Sequence, residues 1–281
     1  MSGSMRDLRR RIRALNSTEQ LTGAMRTVAA SKYSRLQLAT RRFAPYAEAS
    51  LRFLQMVDTP TETPRESKRV WYVCFTANRG LCGAYNADLM RSLAGHLQAE
   101  RRECSMIFVG RWGAENAAVY DIHPVLRSFP VADTPNYDQA QALSDYLWEQ
   151  WSSGAVDEVR FLSQQGRSIL TLSPVCETFL PLPIETTGEE ECLFVPSREE
   201  LVPRLRRHCL TALVYKTMLS AAEGAQGAMM NAMRQASDNA SDMLRELTLE
   251  LNRLRQQAVT TEMLELAGSK NAMKDSEDSH E

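Results

Sequence analysis

The two ends of the chain each carry a helical pattern much longer than an ordinary globular helix. Between residues 198 and 267, core-type side chains return at steps of three and four, and no proline follows Pro203. About 60 helical residues span roughly 90 Å, so one helix of this length cannot bury its apolar stripe without a partner. The stripe comprises Leu210, Leu213, Thr217, Ala221, Ala232, Ala236, Met243, Leu247, Leu251, Leu254 and Ala258.

A second long pattern, over residues 5–57, is the natural partner. Only Gly23 and Pro45 interrupt it, and we expect Pro45 to bend or restart the helix. The arginine-rich opening is typical either of a mitochondrial presequence or of a basic helix in the mature protein, and the unbroken pattern favours the second interpretation. We therefore expect an antiparallel coiled coil formed by the two ends. Its N-terminal stripe comprises Leu8, Ile12, Leu15, Leu21, Met25, Val28, Leu36 and Phe43.

The middle of the chain has a different pattern of apolar residues. Short apolar runs such as "VWYVCFT" and "CSMIFVG" alternate with segments of helical spacing, which predicts a small, mainly parallel α/β sheet. The close pair of strand-like runs within 158–175 is expected to supply an antiparallel edge. The predicted fold class is α/β, with a Rossmann-like α/β domain inserted into the coiled coil. The predicted division is 1–57 helix, 58–69 linker, 70–196 α/β domain, 197–267 helix and 268–281 polar acidic tail, expected to be flexible.

Composition excludes several classes of function. The net charge of −2 gives no bulk attraction to nucleic acid. None of the six cysteines forms a CxxC pair, so neither a zinc site nor a redox pair is expected. Signatures such as GxSxG and HExxH are absent from the sequence, and we predict no catalytic residue, no metal and no cofactor.

The stretch "TANRGLCGAYN", residues 76–86, resembles the start of a phosphate-binding loop, since a strand-like run precedes it and a helical segment follows. Its glycines at 80 and 83 fit neither GxxxxGK nor GxGxxG, so we predict a structural turn without direct nucleotide binding. Arg79 is its one charged residue. It is expected to pair either with Asp88 or with a partner protein.

Three segments together resemble the gamma subunit of F-type ATP synthases. They are "LRRRIRALNSTEQLTGAMRTVAASK" at the N-terminus, "TANRGLCGAYN" in the middle, and "MRQASDNASDMLRELTLELNRLRQQAVTTEMLEL" near the C-terminus. The order of helix, α/β domain and long helix is also that of the family. In the last segment, the residues at the family's positions are Asn239, Ala240, Leu247, Asn252, Arg255, Gln256, Thr260, Glu262 and Glu265.

The resemblance implies a non-catalytic rotor shaft that couples ion flow through a membrane ring to ATP synthesis or hydrolysis in a catalytic head. It implies that Met25, Arg255, Gln256 and Thr260 face the alpha and beta subunits of the head, and that the α/β domain, with Arg79, lies near the membrane c-ring and the epsilon subunit. Nucleotides would be bound by other subunits. The implied location is the cell membrane of a bacterium, peripheral on the cytoplasmic face.

Several positions depart from the family pattern. Asn78 replaces the usual Asp, Ala84 replaces a second Gly, and Gly23 stands where Lys is usual. The segment 192–197 and the polar tail also differ from the usual family sequence. Two other classes of protein remain as alternatives, namely a small-molecule-binding α/β enzyme with helical dimerisation arms and a coiled-coil scaffold.

Overall fold

The computed structural model describes residues 2–58, 68–166, 168, 171–182 and 197–277. Residues 59–67 of the expected linker, the segment 192–196 and the last four residues of the expected tail lie outside the described part. The helices and strands are α1 (Ser2–Val57), β1 (Arg69–Phe75), α2 (Tyr85–Ala99), β2 (Glu103–Val109), α3 (Arg111–Asn116), a 3-10 turn (Ala117–Tyr120), β3 (Val125–Phe129), α4 (Tyr137–Ser152), β4 (Glu158–Gln165), β5 (Ser173–Leu180) and α5 (Arg198–Glu277).

The chain is an α/β protein with a mixed sheet and a long C-terminal helix, as expected from the sequence. The five strands lie in the order β3-β2-β1-β4-β5. The first four are parallel, and β5 pairs antiparallel with β4 at one edge. This is the order of a doubly wound sheet, in which the direction of winding reverses between β1 and β4. We use "α/β domain" for the part from β1 to β5.

Strand β1 is the centre of the core because both of its faces are buried. Trp71, Val73 and Phe75 face α4 and the first half of α5. The intervening Tyr72 and Cys74 face α2. Burial on both faces explains why the sequence here is a continuous apolar run rather than an alternating one.

The amino ends of the strands are fastened by a network of charges. Arg102 bridges Glu100 and Glu158 with nitrogen–oxygen distances of 2.6 and 2.7 Å. Arg160 reaches the same two carboxylates and donates a hydrogen bond to the Tyr72 hydroxyl. Each carboxylate thus has two cationic partners, and the network ties β4 to the segment between α2 and β2.

The chain divides into two compact units, one of residues Arg26–Ala232 and one of residues Met1–Met25 with Met233–Glu281. Within the first unit, α1 and α5 contact each other through polar side chains. Lys216 pairs with Glu48 at 2.9 Å, and Nε and Nη2 of Arg206 each donate a hydrogen bond to one oxygen of the Asp58 carboxylate. In the second unit, Leu8 and Ala240 are among the buried residues.

The structure adds features that the sequence did not indicate. Helix α1 continues through Pro45 and does not restart there. Strand β3 and helix α3 had no clear pattern because both are short and β3 is an exposed edge. None of the described helices contains a stretch long and apolar enough to cross a membrane.

Candidate functional site

The loop that follows β1 is held by one side chain at the start of α2. Asn86 accepts a hydrogen bond from the Ala77 amide at 2.9 Å and donates to the Arg79 carbonyl oxygen at 3.3 Å. Leu81 and Gly83 have φ angles of 64° and 59°, in the left-handed region. Glycine adopts this conformation freely, whereas at a leucine it costs about 1–2 kcal/mol. The loop thus holds Leu81 in a strained conformation with its side chain 62% exposed.

The carboxyl edge of the sheet between β1 and β4 is where doubly wound folds bind nucleotides. In this chain, α5 packs against the loop at that edge. The Tyr85 hydroxyl donates to the Ala221 carbonyl oxygen at 2.9 Å, and the Gln164 amide donates to the Tyr85 carbonyl oxygen at 3.1 Å. A Cβ atom added at Gly224 would lie 3.3 Å from the Tyr85 ring, so the helix backbone itself touches this side chain. The glycine loop is therefore a structural turn that α5 of the same chain covers.

The charges around this loop do not form a phosphate site. Asp88 lies in the first turn of α2, where a carboxylate disfavours the anion that a helix N-terminus otherwise attracts. Its carboxylate pairs with Arg91 at 2.6 Å, and pairing between Asp88 and Arg79 is not found. Arg79 is exposed, and its guanidinium forms no ion pair with any residue in the described part of the chain.

The thiols are unsuited to nucleophilic chemistry. Burial raises the pKa of Cys74 and of Cys82, and it raises the pKa of Cys209 to about 12. A thiol with a raised pKa stays protonated at neutral pH and reacts slowly. Cys192 lies outside the described residues. Among the residues that are described, no group of three His, Cys, Asp or Glu side chains is arranged to hold a metal ion.

A continuous polar strip runs along the exposed face of α5 near its C-terminal end. Gln256 and Thr260 lie on it one turn apart, and Thr260 bonds back to the Gln256 carbonyl oxygen at 2.9 Å. Arg253 belongs to the same strip, although the sequence comparison with the family did not single it out. The sequence could have indicated this strip, because its five polar residues recur at helical spacing on one face of α5. They are Arg253, Gln256, Gln257, Thr260 and Thr261.

The other two residues expected at this end lie apart from the strip. Arg255 is exposed but points about 100° around the helix from Gln256, as adjacent helical residues do. No described residue forms an ion pair with it. Met25 lies half-buried on the other long helix, α1. The structure thus places Gln256 and Thr260 on one face, and the grouping with Met25 stays a prediction.

Large apolar side chains are exposed on both long helices. Four lie within eight residues of one another near the C-terminal end of α5, namely Val259, Met263, Leu264 and Leu266, and the last three are 65–70% exposed. Leu21, Val28 and Met243 were expected in the buried stripe, yet each is more than half exposed. Periodicity alone does not separate a stripe that packs within the chain from one that faces outward.

Comparison with known proteins places the whole chain in one family. The ATP synthase family model matches residues 4–273. The ATP synthase gamma chains of Desulfitobacterium hafniense and Moorella thermoacetica are both 34% identical to this chain, over 278 and 279 residues respectively. Each alignment covers 96% of this chain and 99% of the relative.

Solved structures agree at the level of the fold. A chain in the Euglena gracilis mitochondrial ATP synthase structure of OSCP, F1 and c-ring in rotational state 3 superposes with a TM-score of 0.72 at 18% identity, covering 97% of this chain and 95% of that one. A chain from the rotor of the same enzyme gives a TM-score of 0.69 at 17% identity, with coverage of 92% and 100%. With the near-complete alignments to bacterial relatives, this similarity leads to one conclusion: the chain belongs to the ATP synthase gamma chain family.

Proposed function

We propose that this protein is the non-catalytic central shaft of an F-type ATP synthase, which couples ion flow through a membrane ring to ATP synthesis or hydrolysis. The observation that carries the proposal is the alignment with bacterial gamma chains, which spans 96% of this chain and 99% of the relative at 34% identity. A chain that aligns with nearly the full length of its relatives is expected to have the same place in the complex.

The shaft itself is proposed to be an antiparallel coiled coil of α1 and α5. Contacts within residues 26–232 support it, because residues late in α1 meet residues early in α5. Glu48 pairs with Lys216, and Arg198 donates to the Val57 carbonyl oxygen. In an antiparallel pair, contacts of this kind continue in opposite directions along the two chains. We propose that the pairing extends over about 6–56 and 205–266, which rests on the sequence pattern.

The alpha and beta subunits of the catalytic head are the proposed partners of the chain ends. Exposed Leu264 and Leu266 support this, because apolar side chains in such a group gain free energy when a partner covers them. We propose that Met25, Arg255, Gln256 and Thr260 also face the head. Arg255 has no ion-pair partner among the described residues, so its guanidinium is available to a carboxylate of another subunit.

The α/β domain is the proposed contact region for the epsilon subunit and the membrane c-ring. Arg79 and Leu81 present an exposed cation and an exposed apolar side chain on one well-held loop, which suits a protein partner. The proposed location is accordingly peripheral on the cytoplasmic face of the cell membrane, as part of the complex.

The shaft needs no chemistry of its own to perform this function. An asymmetric helix pair that turns inside a ring presents different side chains to each catalytic subunit in succession. Each contact favours one conformation of that subunit by its difference in binding free energy, and this difference is what coupling requires. The closed carboxyl edge of the sheet is consistent with nucleotide binding by other subunits only.

Co-purification from native membranes tests the proposal. We expect an affinity-tagged chain to retain alpha and beta subunits together with ATP hydrolysis. A variant that ends after Gln257 should lose part of that association, because it lacks the exposed apolar group at 259–266. The full-length variant Asp88→Ala, which changes only a local ion pair on α2, is the control. A tagged full-length chain that elutes free of alpha and beta subunits would refute the assignment.

A further inference from the structure

An ion pair joins α1 to the α/β domain, away from the residues proposed to contact other subunits. The Lys32 ammonium lies 2.6 Å from one carboxylate oxygen of Asp133, which follows β3. The side chains are 36% and 33% exposed, so solvent only partly screens the pair. The two residues are 101 positions apart in the chain, so the contact belongs to the tertiary structure and not to one helix.

Asn78 holds the second oxygen of the same carboxylate. Its amide nitrogen donates to Asp133 at 3.2 Å and to the Val131 carbonyl oxygen at 2.8 Å. Its amide oxygen accepts from the Arg111 backbone N–H at 3.3 Å. The network therefore runs from α1 through the segment after β3 and the loop after β1 to the start of α3. We refer to Lys32, Asp133 and Asn78 as the Lys32 clasp.

The protonation state supports a persistent contact. The hydrogen bond from Lys32 lowers the pKa of Asp133, burial opposes this, and the hydrogen bond from Asn78 lowers it further. The carboxylate is therefore charged at neutral pH. An aspartate at position 78 has no amide protons to donate, and its carboxylate would lie close to that of Asp133. The contacts at position 78 therefore favour an asparagine.

The position of the clasp along α1 lets it resist rotation of this helix against the α/β domain. A second contact between α1 and the α/β domain is the edge-on approach of the Phe43 and Tyr137 rings, with 6.4 Å between centroids. Lys32 and Phe43 are 11 residues apart, which is about 16 Å along the helix. Two direct contacts at this separation resist a turning force between α1 and the domain better than one, and they add to the Glu48–Lys216 pair that ties α1 to α5. By contrast, α5 contributes buried residues to both hydrophobic cores of the domain.

We propose that the Lys32 clasp transmits torque between α1 and the α/β domain. This inference rests on the proposed function, because only a shaft that turns under load needs such a contact. Its effect should appear when rotation works against a large opposing force and should be small when rotation is unopposed.

The experiment uses the assembled complex in membrane vesicles. ATP hydrolysis is measured with the vesicles made leaky to ions, and the steepest ion gradient that ATP can maintain is measured with sealed vesicles. For Asp133→Ala and Lys32→Ala we expect nearly normal hydrolysis and a loss of maximal gradient, because a shaft that yields under load lets ions return without ATP synthesis. Lys32→Arg keeps the charge and should restore most of the gradient. Asp88→Ala removes an equally short ion pair within α2 and should change neither quantity.

Hydrogen exchange of the isolated full-length chain distinguishes a contact that is absent from a contact that is present but does not transmit torque. Faster exchange around residues 131–136 in Asp133→Ala shows that the contact exists in solution. Unchanged exchange refutes the clasp, whatever the protein does. Faster exchange with an unchanged maximal gradient refutes the torque role, while the shaft function stands. If the unaltered chain does not assemble with a catalytic head, the proposed function fails instead, and the torque proposal falls with it.

Discussion

The phenolic hydroxyl of Tyr85 lies 2.9 Å from the carbonyl oxygen of Ala221 and donates a hydrogen bond to it. Tyr85 opens α2 immediately after the glycine loop, and Ala221 lies within α5. Burial raises the pKa of Tyr85, so the phenol remains protonated at neutral pH and can donate this bond. One side chain thus connects the edge where a nucleotide would bind in related folds to the helix proposed as the shaft.

Replacing Tyr85 with Phe should destabilise the chain by about 0.5–1.5 kcal/mol, because one buried hydrogen bond is lost while the ring is retained. The free energy of unfolding in urea is the measurement. Tyr215→Phe is a matched control, since its hydroxyl contacts the Pro135 carbonyl oxygen only at the long distance of 3.5 Å. Equal losses in the two variants would contradict a special role for the Tyr85 contact.

The fold was largely predictable because strong patterns specify it. The buried run of β1 and the long stripes of the end helices identified the α/β sheet and the C-terminal helix. The site was less predictable, since helical spacing places side chains on one face without indicating whether that face packs within the chain or meets a partner. Leu21 and Met243 fitted the stripe but are exposed, and β3 gave no signal because an exposed edge strand does not need apolar alternation. The Lys32–Asp133 pair joins distant segments, which a single sequence does not reveal.

Replacing each of two glycines by alanine should change the stability of the chain in opposite directions. Gly110 has a φ angle of 102°, and a Cβ atom there would collide with the Thr76 carbonyl oxygen. We expect Gly110→Ala to cost about 3 kcal/mol or more, since strain and overpacking add. Gly95 lies exposed in α2 with no atom within 4 Å of a new Cβ, so Gly95→Ala should stabilise by about 0.5–1 kcal/mol. Thermal unfolding of both variants gives the comparison, and a loss of stability in Gly95→Ala would contradict it.

The junction between the end of α1 and the start of α5 should depend on Asp58. Its side chain is 3% exposed and receives two hydrogen bonds from the Arg206 guanidinium. Asp58→Ala leaves a half-buried cation without this partner, and we expect a loss of about 2–3 kcal/mol in the free energy of unfolding. Glu48→Ala breaks the more exposed pair with Lys216 and should cost less than Asp58→Ala, because solvent screens this pair. A double-mutant cycle with Arg206→Ala measures the coupling, and a value near zero would show that the pair is not stabilising.

Acid should weaken the α/β domain through the charge network at the amino ends of its strands. The hydrogen bond from Arg102 lowers the pKa of Glu100 to about 2, and hydrogen bonds from Arg160 and Arg102 outweigh burial and lower the pKa of Glu158. A carboxyl group whose pKa is lowered on folding contributes stability above its unfolded pKa, and this contribution is lost as the pH falls through the folded value. We therefore expect stability to be level near neutral pH and to fall between about pH 5 and pH 2.

Unfolding in urea at a series of pH values measures this dependence. Glu100→Gln should reduce the acid-dependent part by about 1–2 kcal/mol, a value lowered from the full shift because solvent screens the pair in part. Glu115→Gln removes an exposed carboxylate that has no ion pair among the described residues, and it should leave the profile unchanged. A Glu100→Gln profile identical to that of the unaltered chain would exclude this network as the source of acid sensitivity.

Changes at the exposed end of α5 should lower coupling without altering the fold. Arg255 and Gln256 are exposed, and neither side chain forms a hydrogen bond or ion pair with another described residue. Arg255→Ala with Gln256→Ala should therefore leave the unfolding free energy of the isolated chain within about 0.5 kcal/mol of the unaltered value. In membrane vesicles, a lost charge-assisted contact worth about 1–3 kcal/mol should partly reduce ATP synthesis and ATP-driven ion pumping. High salt should weaken the unaltered contact in the same direction, since it screens exposed charges.

The polar strip supplies a matched comparison for this last variant. Arg253 lies on the strip with Gln256, whereas Arg255 lies about 100° away around the helix, so the two arginines face different directions. Single replacements of each by alanine remove the same charge from the same turn of α5. The resemblance implies that the catalytic head contacts Arg255 together with Gln256 and Thr260 of the strip, so Arg255→Ala should reduce pumping more than Arg253→Ala. The reverse order would show that Arg253, and not Arg255, supplies the charged contact, and normal pumping in both, with normal assembly, would show that neither arginine takes part in coupling.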